Sequence, residues 1–153
     1  MKVMDFLSPQ AVKIGLEARE KKEAIQEMLK ILVSAGALKE KDLPVVLNAV
    51  LEREKIGSTG VGQGVAIPHG KTRLVTKEIG ALGISHSGIN FESLDGEPVN
   101  FVFLLLGPED ISGNHLKALA RVANLFRDRF FREALRAATT PQEILSIIAK
   151  EDI

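Results

Sequence analysis

The 153-residue chain contains no cysteine, no tryptophan and no tyrosine. Without thiols, disulfides and thiolate metal sites are excluded. Histidine is scarce as well, so imidazole chemistry is confined to His69, His86 and His115. Neither sign of charge is in excess: 20 basic residues balance 20 acidic ones, and no global field draws in nucleic acid or an anionic membrane. Long apolar runs are also missing. The longest, Phe101 to Leu106, falls far short of the ~20 residues of a membrane helix. Nor does the start, Met1-Lys2-Val3-Met4-Asp5-Phe6-Leu7, have the apolar core of a signal peptide. The expectation is a cytoplasmic protein without membrane insertion or a nucleic-acid partner.

What remains is ordinary for a globular protein, 45% hydrophobic and 26% charged, and fits one domain over residues 1–153. Val12 to Ala18 alternates apolar and polar residues, as a half-buried strand does. From Glu20 the rhythm changes to helical spacing (Ala24, Ile25, Met28, Leu29, Ile31, Leu32), which Gly36 can end. Asp42 is placed to cap a second helix from Leu43 to about Arg53, with Pro44 in its first turn. Short strands are expected at Val65 to Ile67, Ile79 to Ser85 and Val99 to Leu106, the last apolar on both faces. Asp95-Gly96 marks a turn within a hairpin-like excursion, with Asp95 and Glu97 serving turn chemistry.

Helical spacing returns from Ser112, with Leu116, Leu119, Ala120, Val122, Ala123 and Phe126 along one side. A shorter helix follows over Phe130 to Ala138. Thr140-Pro141 opens a last one, running to about Lys150. The order implies an α/β fold: a three-layer α/β/α sandwich, a mixed sheet with helices on both faces.

One segment stands apart. Five glycines crowd Gly57 to Gly70, ending in Pro68-His69-Gly70. Such a run exposes backbone N–H groups to an anion, and Ser58 and Thr59 add hydroxyls. Ser58, Thr59, Gly60, Gly62, Gly64, Pro68 and Gly70 are therefore candidates for a phosphate loop. Pro68 stiffens the exit from a strand that would present His69 at its end, and Gly70 would leave room for a partner. Imidazole is a competent neutral nucleophile and a reversible phosphoryl carrier. The plainer alternative is a surface histidine in a turn. Neither the Walker pattern nor the dinucleotide fingerprint is met, which argues against a nucleotide site. No histidine–carboxylate spacing resembles a metal site. His86 matches no motif and reads as a strand-end or surface residue.

The stretch from Glu54 to Gly70 resembles the phosphorylation-site signature of the mannitol/fructose-type (type 2) IIA components of the bacterial phosphoenolpyruvate-dependent phosphotransferase system. Glu54, Val61, Gly62, Val65, Ala66, Ile67, Pro68, His69 and Gly70 fill that pattern without a departure. The resemblance implies that His69 accepts a phosphoryl group, on Nε2, from an HPr-type carrier protein, with no cofactor beyond the covalent phosphate. It also implies a second histidine and an arginine, which match His115 and Arg53.

Each assignment has independent physical support. His115 lies in the first turn of a helix, whose positive end favours an anion and disfavours an imidazolium, and it is placed to bond the phosphate or to orient His69. Arg53 carries a fork suited to phosphate. A capping histidine and a solvated charge are the plainer readings. Val61, Val65 and Leu74 are candidates for an apolar docking rim.

The words Arg53-Glu54-Lys55-Ile56-Gly57-Ser58-Thr59-Gly60 and Leu7-Ser8-Pro9-Gln10 are most similar to the nitrogen-regulatory branch, which acts on regulatory target proteins. Two alternatives stay open. One is a sugar-specific IIA that passes phosphate to a IIB domain of a fructose or mannitol permease. The other is a binding module whose histidine is never phosphorylated.

Overall fold

The computed structural model describes residues 1–110 and 112–153. Its centre is strand β6, Val99–Gly107, almost wholly buried. Period-two alternation divides β6 between two cores: Phe101, Phe103 and Leu105 face one, and Val102, Leu104 and Leu106 the other.

Around β6 the chain builds one six-stranded sheet. Strand β5 (Ile79–Ile89) pairs antiparallel with β6, and β1 (Leu7–Ile14) pairs parallel with β5. On the other side of β6 lie β3 (Val65–Ala66) and then β4 (His69–Lys71), both parallel to it, and β2 (Gly60–Gly62) pairs antiparallel with β3. Helices α1 (Lys21–Ser34) and α2 (Leu43–Ile56) cover one face. Helices α3 (Asn114–Phe126), α4 (Arg129–Ala137) and α5 (Pro141–Glu151) cover the other. The expected α/β/α layering with a mixed sheet is what forms. Among the described residues, no helix is long and apolar enough to cross a membrane.

The expected capping at Thr140 is present, its hydroxyl accepting the Glu143 N–H with Pro141 opening α5. Asp42 occupies the N-cap position of α2 without a side-chain cap bond, and α2 runs on to Ile56 rather than stopping near Arg53. The first strand lies earlier than its alternation indicates, ending at Ile14 where Gly15 takes φ 88°. Leu16 and Ala18 stay buried beyond it, and the Glu27 carboxylate accepts the N–H groups of Glu17 and Ala18. Burial therefore keeps alternating after the ladder has stopped.

Helix α3 keeps much of its expected face, with Val122 and Phe126 buried and Leu119 and Ala123 packed against the core, but its first turn differs. His115, Ala118, Val122, Leu125 and Phe126 point inward, and Leu116 is 72% exposed.

Candidate functional site

The break between β3 and β4 sets the site. Both short strands lie along the same edge of β6, with Ala66 opposite Val102 and His69 opposite Leu105. Pro68 interrupts them: it has no N–H to donate, but its carbonyl accepts from Leu105 N at 3.0 Å. His69 thus begins a strand instead of ending one. Its ring is half-buried, and Nδ1 lies 2.9 Å from the carbonyl of Ile67. A carbonyl can only accept, so Nδ1 carries the ring proton and Nε2 keeps its lone pair. Burial holds the proton affinity of His69 below its ordinary value. The positive fields of Arg53 and His115 push the same way, against the opposing Ile67 bond and Glu54. The outcome is a neutral imidazole with a free Nε2.

Arg53 lies in the last turn of α2, close enough for its field to act on His69. Its Nη1 donates to the Gly57 carbonyl at 2.9 Å, which ties the guanidinium to the start of the glycine loop. His115, in the first turn of α3, brings its ring centre to 5.6 Å from that of His69. The two histidines and the arginine therefore converge, as expected. The orientation of His69, however, comes from Ile67 and not from His115.

Sequence reasoning missed two participants. Glu78, just before β5, is buried and accepts a hydrogen bond from His115 Nδ1 at 2.7 Å. Gly107 makes that meeting possible, because a Cβ there would overlap the Glu78 carboxylate and the His115 ring. No periodicity marks an acidic residue in front of a strand. His115 Nε2 is buried and has no partner among the described residues.

The glycine loop differs from expectation. Thr59 is buried, and both its N–H and its hydroxyl bond to Glu54. Glu54 is itself buried and paired with Lys21 at 3.1 Å. The signature's acidic position thus anchors the loop from inside. Ser58 Oγ accepts the Gly60 N–H at 3.0 Å. Gly60 and Gly62 pack against the excursion between β5 and β6, at Ser93 and Asp95, and Gly64 packs against Asn100 of β6. Asp95 accepts the N–H groups of Glu97 and Gln63, so its turn also grips the loop.

Gly70 does not make room for a partner. It is buried under α2, where an added Cβ would lie 3.3 Å from Val50 Cγ2. Of the expected rim residues, Val61 and Leu74 are exposed, whereas Val65 is 2% exposed and belongs to the core. His86 is a surface residue in β5, its Nε2 3.4 Å from the Arg136 carbonyl. Among the described residues, no group of three or more histidines and carboxylates is placed to hold a metal ion.

Comparison with known proteins agrees with this geometry. The family profile for "Phosphoenolpyruvate-dependent sugar phosphotransferase system, EIIA 2" matches residues 5–151. A nitrogen regulatory protein of Bradyrhizobium diazoefficiens is 43% identical over 97% of this chain and 95% of its own length. The fructose-specific EIIABC component of Bacillus subtilis is 37% identical over 99% of this chain, which spans only 24% of that protein. Among solved structures, the nitrogen regulatory protein IIA-Ntr of Neisseria meningitidis superposes with a TM-score of 0.83 at 33% identity, covering 94% of this chain and 97% of that one. The mannitol IIA of Escherichia coli shares the fold, with a TM-score of 0.76 at 24% identity over 91% of this chain and 96% of that one. With its signature histidine at the break in the sheet edge, the chain belongs to the type 2 EIIA family of the phosphoenolpyruvate-dependent phosphotransferase system.

Proposed function

We propose that His69 is the residue through which this chain carries phosphate, taking a phosphoryl group on Nε2 from the phosphohistidine of an HPr-type carrier. The observation that carries the reading is the bond between His69 Nδ1 and the Ile67 carbonyl, which leaves Nε2 as the free nucleophile. In transfer, the Nε2 lone pair forms a new P–N bond while the donor's P–N bond breaks and returns its electron pair to the donor nitrogen. The His69 ring keeps its Nδ1 proton throughout and becomes a phosphoimidazolium, whose positive charge the Ile67 carbonyl stabilises. No proton needs to move in this step. Exchange between two histidines is near-balanced, so the protein's contribution is alignment and stabilisation of charge on the equatorial oxygens. Arg53 supplies a fixed cation for those oxygens, and the amino end of α3 adds its dipole.

Docking uses Leu116, exposed next to His115 in the first turn of α3, and Val61, exposed on the glycine loop, whereas Leu74 lies beside the start of α2 with Leu38 and Asp42. We assign the chain to the regulatory branch, acting in the cytoplasm on target proteins according to its phosphorylation state. The support is the nitrogen regulatory protein that is 43% identical over nearly the whole of both chains. A sugar-specific role is the second reading, favoured by the fructose-specific relative at 37% identity, and in it the phosphate passes to a IIB domain.

Incubation with phosphoenolpyruvate, enzyme I and an HPr-type carrier tests the carrier role. Acid-labile label is expected on the wild type and not on His69→Ala. Absence of label on the wild type would leave only the binding-module reading, and persistence on His69→Ala would mean that a residue other than His69 takes the phosphate. Onward transfer of the label to a fructose-type IIB domain would favour the sugar-specific reading.

A further inference from the structure

His115 presents an arrangement that the carrier reading does not use. Its Nδ1 and the Glu78 carboxylate meet at 2.7 Å, both side chains more than nine-tenths buried. Its Nε2 is buried too, and nothing among the described residues bonds to it. A buried polar nitrogen without a partner is costly unless something arrives to satisfy it. The ring shares its site with His69, 5.6 Å away between centres. The absent side chain at Gly107 is what lets Glu78 and His115 meet at the end of β6.

The tautomer then constrains what His115 can do. A carboxylate accepts, so Nδ1 carries a proton. With Nδ1 so occupied, Nε2 bears a proton only if the ring is a doubly protonated imidazolium. A phosphoryl oxygen needs a donor, and the lone pair of a neutral ring would repel it. We propose that Glu78 is a positioning residue that holds the Nδ1 proton of His115, so that His115 meets the phosphoryl group on His69 as an imidazolium donating from Nε2. Glu78 touches neither phosphate nor His69 in this role. It fixes the ring and supplies the counter-charge that a buried cation requires, as a carboxylate does behind a histidine in other reactive sites. The second proton comes from solvent, and no bond to phosphorus is made or broken by its arrival.

Charged groups face this site from several elements, and His115 itself sits at the positive amino end of α3. Glu78 faces it from the segment before β5, and His69 faces it from β4. Asp110, on the connection from β6, is held below the usual carboxylate range. Its bonds from Ser112 are the main cause, and the fields of Lys71 and His115 add to them. Arg53 acts on the same site from α2.

The inference rests on the carrier role of His69, yet its first measurement does not. Ring nitrogen chemical shifts of His115 in the unphosphorylated wild type should show a protonated Nδ1. After phosphorylation of His69, both His115 nitrogens should be protonated at neutral pH. Glu78→Gln should abolish that doubly protonated state and slow transfer about tenfold, a loss of about 1.4 kcal/mol in transition-state stabilisation. In a His115→Ala background, Glu78→Gln should have no further effect on transfer, whereas a purely structural Glu78 would slow both backgrounds alike. An unprotonated Nδ1 in the wild type overturns the proposal even if the variants fail to fold. So does a phosphorylated Glu78→Gln protein that keeps both His115 protons. If His69 takes up no label at all, it is the carrier reading that fails.

Discussion

His69 and Ile67 are joined across Pro68 by a hydrogen bond from Nδ1 to a backbone carbonyl, 2.9 Å long. Proline allows this because it stops β3 and starts β4 without donating to the ladder, turning the Ile67 carbonyl toward the ring. A histidine oriented by its own backbone arrives at the surface with one tautomer already chosen. The nucleophile is thereby set before any partner docks, which is the form of preorganisation that transfer between two imidazoles requires.

The depressed proton affinity of His69 sets a pH dependence. An ordinary histidine is half protonated near about pH 6.5 and loses its nucleophilic form below that. His69 is held lower, chiefly by burial. Phosphoryl uptake should therefore stay level as pH falls through that range and decline only in more acid solution, as rapid-quench uptake at a series of pH values would show. Stability follows the same sign. The unfolded chain takes up a proton there that the folded one refuses, so His69 contributes a loss of stability as pH drops below about 6.5 and nothing above it. A rate that halves near the ordinary histidine value would contradict the burial argument.

Arg53 should affect rate more than fold. Its guanidinium is part-exposed and, among the described residues, bonds only to the Gly57 carbonyl, so Arg53→Ala forfeits little packing. Loss of a charge-assisted contact to phosphate is worth about 1.5–3 kcal/mol, roughly tenfold to a hundredfold in transfer. Removing a positive neighbour should also move the His69 titration upward. Stopped-time transfer assays and histidine NMR would measure both effects. An unchanged rate would reduce Arg53 to a loop anchor.

His69 was legible from its proline–glycine bracket, whereas Arg53 and His115 were identified through the family resemblance, with a helix end and a helix start as physical support. Their partners were not. Glu78 stands alone before a strand, and Gly107 ends an apolar run where a glycine carries no periodic signal. The first turn of α3 was misread because His115, a polar residue, takes a place on the inward stripe with Ala118 and Val122, and a count of apolar positions passes over it and selects Leu116. Strands β2 and β4 are three residues each, too short to show a period, and depend on pairing with β3 and β6. The α/β/α layering was legible because β6 is apolar on both faces and the helices carry one-sided stripes.

Glu54 should matter to stability before it matters to transfer. Its carboxylate is buried, pairs with Lys21 and accepts from Thr59, closing the loop that follows α2. Breaking a buried pair by removing one member leaves the other charge uncompensated, at a cost of about 3–5 kcal/mol. Lys21 keeps some exposure, and its ammonium also lies 5.3 Å from the centre of the Phe91 ring, so the lower end of that range is expected. Urea denaturation of Glu54→Ala against wild type would measure it. A loss under about 1 kcal/mol would mean the ion pair is no better than a surface one.

Gly70 separates two explanations of the same signature glycine. If its bareness served an approaching partner, Gly70→Ala would weaken the carrier's KM and leave the fold intact. In the structure the position faces α2, and an added Cβ would sit 3.3 Å from Val50 Cγ2 and 3.4 Å from Val50 N. The methyl end of Val50 can give by a few tenths of an ångström, but the helix backbone behind it yields less. Overpacking of this kind costs about 1–3 kcal/mol, and the strain would be shared with α2, which carries Arg53. Gly70→Ala should therefore lower the melting temperature and reduce kcat through a displaced Arg53, with KM for the carrier little changed. Paired thermal melts and steady-state transfer kinetics distinguish the two, and a KM effect with an unaltered melt would restore the partner-approach explanation.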